Sequence, residues 1–124
     1  MNSLMIKGTL AILFSILSIA LGFYLTANGQ PYNQTIGTIH KVASLFGAIA
    51  FGVLIYSITK RGLATPTIWT ILVLCFISFF FSMYTGAILI NRDEPHTMIL
   101  ILHRVLPALT FIFGIGAFRL LMRR

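Results

Sequence analysis

Four long apolar stretches, over residues 8–27, 36–58, 67–90 and 98–121, dominate this chain of 124 residues. Each is close to the roughly 20 residues a helix needs to cross a hydrocarbon core about 30 Å thick. Backbone polar groups find no water in that core and must be bonded within the segment, which a helix achieves along its whole length. The connections "NGQPYNQT", "TKRGLATP" and "NRDEPH" carry the Gly, Pro, Asn and charged residues of turns that lie outside hydrocarbon. Being short, they make neighbouring helices antiparallel. The expected fold is all-α: an integral membrane four-helix bundle, up-down-up-down, with residues 1–124 as a single transmembrane domain.

Composition agrees with this architecture and sets the topology. Hydrophobic residues make up 58% of the chain and charged ones 9%, against roughly 25% charged in ordinary soluble domains. The net charge of +7 is a topology signal, not a nucleic-acid footprint. Lys7, Lys60, Arg61, Arg119, Arg123 and Arg124 stand at segment ends that an alternating topology brings to one side. The acids Asp93 and Glu94 fall on the other. The positive-inside rule therefore expects both termini in the cytoplasm, with Trp69 and Tyr56 at the inner interface and Tyr24, Tyr32 and Tyr84 at the outer one. The first stretch is too long for a signal-peptide apolar region and "LTANGQ" is a poor cleavage site, so it is expected to stay as a helix. Cys75 stands alone in an apolar run, without a disulfide partner or a CxxCH haem-attachment motif. "NQT" at Asn33 to Thr35 matches a glycosylation sequon, a weak three-residue match without meaning in a prokaryote.

The second and fourth stretches repeat each other. At an offset of 63, His40-Lys41-Val42 falls on His103-Arg104-Val105 and Lys60-Arg61 on Arg123-Arg124. The first and third stretches align at an offset of 60, Ser18 with Ser78, Gly22 with Ser82 and Tyr24 with Tyr84. A tandem helical-hairpin repeat follows, with parallel copies about an axis along the membrane normal. His40 and His103 then lie four to five residues inside their helices, roughly 6 to 8 Å below the outer boundary at 1.5 Å per residue.

Ionisable residues inside a membrane are costly, usually face the bundle interior and mark functional sites. Neutral imidazole is the commonest metal ligand. Two imidazoles at one depth on two helices fit a non-covalent haem b between the helices, with iron ligated by His40 and His103. Lys41 and Arg104 then either meet the haem propionates at the wet edge or simply anchor the helix ends. Ser44 and Gly47 continue the face of His40, and Pro107, Thr110 and Gly114 that of His103. These small residues either leave room for a macrocycle or pack helices. Pro107 removes the usual donor to the carbonyl of His103, which tilts that imidazole or opens the bundle. Gly22 and Gly86 lie at the level of the histidines and either let backbone approach the faces or edges of the macrocycle or simply pack helices. His96 reads as a solvated loop residue, or as part of a proton-exchanging cluster with Arg92, Asp93 and Glu94.

With "IHKV" and "LHRV" set in a four-helix hydropathy pattern, the chain resembles the small four-helix b-type membrane cytochromes, a group that includes the cytochrome b561-like and the hydrogenase- or dehydrogenase-associated cytochromes. The resemblance implies an electron carrier that exchanges electrons with a quinol, a quinone or an extracytoplasmic redox protein, as part of a bacterial or archaeal cytoplasmic membrane. The b561-like members commonly hold two haems with two His pairs. This chain has no histidine near its basic end, so one haem is expected, on the outer side.

Other classes fit less of the chain. A small multidrug-type transporter resembles its relatives in an acidic residue within the first helix, and no stretch here contains one. A copper or zinc site lacks a third ligand beside the His pair. A stand-alone oxidoreductase needs acid and base groups that the apolar stretches do not offer. The main rival is a cofactor-free anchoring subunit of a larger membrane complex.

Overall fold

The computed structural model describes residues 3–90, 94 and 96–123. Asp93 and Arg124, used above as charge markers, and Arg92, placed above in the cluster around His96, lie outside the described residues. Four helices, α1 (Ser3–Asn28), α2 (Gln34–Lys60), α3 (Pro66–Ile90) and α4 (Thr97–Met122), account for the architecture, and no strand occurs among the described residues. All four are long and apolar enough to cross a membrane.

Each helix outruns its apolar stretch. At 1.5 Å per residue, 25 to 27 residues span about 38–40 Å, longer than the roughly 30 Å hydrocarbon core. The difference is largest in α1, which begins at Ser3, several residues before the expected Gly8. Nothing in "SLMIK" stops a helix, and Lys7 is accommodated because its Nζ donates to Ser57 Oγ at 2.6 Å. Ser57 in turn donates to the Val53 carbonyl at 2.8 Å. Lys7 therefore ties α1 to α2 as well as marking a side.

The helix ends follow from local chemistry. Asn33 caps α2, its side chain accepting from the Ile36 N–H at 3.1 Å. At the other end the Leu63 N–H reaches the Ile58 carbonyl and the Gly62 N–H the Thr59 carbonyl, a Schellman closure with Gly62 at φ +65°. Leu63 then packs on buried Leu54 and Ile58. Thr65 accepts from the Ile68 N–H at 3.4 Å and Pro66 opens α3, a position where its missing N–H costs nothing. His96 caps α4, its Nδ1 accepting from the Met98 N–H at 3.3 Å. A solvated loop residue is thus exposed as expected, but it also has a structural task.

α1 lies along α2 and α3 along α4, so the bundle is two hairpins, joined mainly where α1 meets α4. Gly8 makes that junction close: a Cβ there would overlap the Phe118 ring. Both hydrophobic clusters sit at the end carrying Lys60 and Arg61, around Leu4, Leu54 and Ile58 and around Ile68, Leu72 and Ala117. Many other large side chains are exposed, Leu13, Phe80, Phe81 and Ile112 among them, as befits helices solvated by lipid. Tyr56 and Trp69 are exposed at the basic end, Tyr24 and Tyr84 at the other. Between the hairpins runs a cavity of about 910 Å³, from the level of Gly8 and Phe118 to that of Gln34 and Ile90.

Candidate functional site: a histidine pair across the bundle cavity

His40 on α2 and His103 on α4 face each other across this cavity, their ring centres 6.4 Å apart and their planes at 82°. Each ring is held by the neighbouring helix of its own hairpin. The Nδ1 of His40 lies 2.8 Å from the Ser18 carbonyl on α1, and that of His103 lies 3.0 Å from the Ser82 carbonyl on α3. A carbonyl can only accept, so both Nδ1 atoms carry the proton in the neutral ring. Both Nε2 atoms therefore keep their lone pair and make no hydrogen bond among the described residues.

Two glycines allow this approach. A Cβ on Gly22 would stand 3.1 Å from Cε1 of His40, and one on Gly86 2.7 Å from Cε1 of His103. The second distance is shorter than real side chains tolerate, so His103 occupies space that only glycine leaves. Ser18 and Ser44 bond through their hydroxyls across α1 and α2, and Ser44 donates to the His40 carbonyl at 2.8 Å.

The expected lining residues are brought together. Lys41, Ser44 and Gly47 line the cavity from α2, Arg104 and Pro107 from α4, and Gly22 and Gly86 from α1 and α3. Lys41 and Arg104 are exposed, each one residue beyond its histidine. Gly47 faces another way than the ring space suggested: its nearest neighbour is Phe14 Cβ, where an added Cβ would sit at 3.5 Å, so it spaces α1 from α2. Gly114 has Cys75 Sγ 4.0 Å from its would-be Cβ. α4 runs as one helix through Pro107.

One expectation about the repeat is corrected. Hydrogen bonds and close approaches equate Ser18 with Ser82 and Gly22 with Gly86, an offset of 64, instead of Ser18 with Ser78 and Gly22 with Ser82. The error is one helical turn. Residues four apart share a face, so apolar matching alone tolerates the slip. The sequence trace of the true register is "SIALG" against "SMYTG", Ser and Gly four apart in both, which competes with the match of Ser18 to Ser78 and Tyr24 to Tyr84 one turn away. The same slip hid Ser82 and Thr85 as partners of His103.

Among the described residues no third His, Cys, Asp or Glu joins the pair to complete a protein-only metal site. Two imidazoles on opposite sides suit a metal whose remaining ligands come from a planar macrocycle. For two imidazoles in line through one metal, with metal–nitrogen bonds of about 2.0–2.1 Å and a ring centre about 1.1 Å beyond each nitrogen, the centres would stand roughly 6.3 Å apart. Comparison of the chain with protein-family models, with curated proteins and with solved structures finds no match.

Proposed function

We propose that this protein is a membrane electron carrier holding one haem b between its hairpins, with His40 and His103 as axial ligands. The observation that carries this reading is the imidazole pair itself: centres 6.4 Å apart at the cavity, each Nδ1 bonded to a carbonyl, each Nε2 without a hydrogen bond among the described residues. A bound haem supplies a one-electron change at its iron. The chain orients the two ligands through Ser18 and Ser82, and such partners fix the tautomer and raise ligand basicity. Lys41 and Arg104 are the proposed contacts of the propionates, since both are basic, exposed and at the cavity.

Because all the histidines stand toward one end, the electron exchange belongs to that side, the extracytoplasmic face under the positive-inside rule. Its exchange partner is a quinol in the surrounding lipid or a redox protein or complex subunit docked at that face. An absorption spectrum of the purified protein tests the reading. A Soret band and a reduced b-type α band are expected, and their absence overturns it. His40→Ala and His103→Ala should each abolish the low-spin spectrum; retention in either removes that residue from the ligand set. Neutralising Lys41 or Arg104 should lower the midpoint potential, because a nearby positive charge favours the reduced iron; an unchanged potential argues against propionate contact.

A further inference from the structure

The two ligands are held differently, and the difference centres on Thr85. The Nδ1–H of His103 is shared between the Ser82 carbonyl at 3.0 Å and Thr85 Oγ1 at 3.1 Å. The Thr85 hydroxyl directs its own proton to the carbonyls of Phe81 and Ser82, both at 3.0 Å. Toward the imidazole it is therefore an acceptor. Thr85 is buried, and its β-branched side chain, bonded back to its own helix, has little freedom to turn away. In the first hairpin the register-equivalent residue is Leu21, which has no acceptor. There His40 relies on the Ser18 carbonyl at 2.8 Å, with Ser18 Oγ at a long 3.4 Å and engaged with Ser44.

We propose that Thr85 is a positioning residue that holds the His103 imidazole perpendicular to that of His40 and strengthens it as a ligand. This inference rests on the haem reading above. Two acceptors flanking one N–H restrict rotation of the ring, which stands at 82° to its partner. Perpendicular imidazoles donate into different iron d orbitals, leaving those orbitals nearly degenerate, and a low-spin ferric haem then gives a strongly anisotropic electron paramagnetic resonance signal. An acceptor on Nδ1–H also makes Nε2 more basic, which favours the ferric form.

The test uses the full-length haem-loaded protein in detergent with Thr85→Val, which keeps the shape and removes the hydroxyl, and Thr85→Ser, which keeps it. In Thr85→Val the largest g value should fall and the midpoint potential should rise. A tenfold loss of ferric preference would read as about 59 mV for this one-electron couple. Thr85→Ser should restore both, and Leu21→Thr should lower the potential below that of the unmodified protein. An unchanged signal and potential in Thr85→Val overturn the proposal. If Thr85→Val binds no haem, Thr85→Ser decides: native values support the proposal, and loss or Val-like values overturn it. Failure of the haem reading is separately visible, because the unmodified protein would then show no Soret band.

Discussion

At the scale of single residues, the site depends on what is missing at two positions. His103 stands where a Cβ on Gly86 would lie 2.7 Å away, and His40 where one on Gly22 would lie 3.1 Å away. Gly86→Ala should therefore push the His103 ring off its Ser82 acceptor and weaken haem binding on the order of 10- to 100-fold, the usual range for loss of a ligand's outer partner. Gly22→Ala should have a smaller effect, because a shift of a few tenths of an ångström suffices. Gly37→Ala, on the same cavity wall with open space around its would-be Cβ, should leave binding unchanged. Haem titrations of the three variants check the order; equal losses would refute it. The histidines and the cations beside them were legible in the sequence because imidazole in an apolar stretch stands out. Ser82 was not, since it acts through its carbonyl, which every residue possesses.

At the scale of elements, helix existence follows from apolar length, whereas helix ends follow from capping. Gly62 sits at φ +65° with nothing near its would-be Cβ, so Gly62→Ala pays only the left-handed backbone penalty, about 1–2 kcal/mol. A lower unfolding midpoint with an unshifted Soret band is the expected result in detergent. Gly8 acts between elements: Gly8→Val forces the Phe118 ring away from α1 and should loosen the α1–α4 junction. Combining Gly8→Val with Phe118→Ala should recover part of the lost thermal stability, and no recovery would show that the clash is elsewhere. The early start of α1 was not legible because Lys7 reads as a boundary. Its bond to Ser57 depends on α2 lying alongside.

At the scale of the whole molecule, two hairpins close on each other at the basic end and enclose a cavity that reaches the other. One imidazole from each hairpin makes one site, so under the proposed haem reading haem content should be one per chain, measured as haem iron against protein. Two per chain would require ligands other than this pair. The sidedness is testable in the same molecule: with Cys75 replaced by Ser, single cysteines at Ser3 and Arg61 should label from one side of a sealed membrane and one at Asn33 from the other. The sequence by itself determined the four helices, their alternation and the doubling of the histidine, because hydrophobic length and the rarity of ionisable groups in apolar runs are local properties. Only the tertiary structure decided the register of the first and third helices, the carbonyls that receive the imidazole protons and the inequality between the two histidines. These depend on which turn of one helix faces which turn of its neighbour, and residues one turn apart share a face and look alike in sequence.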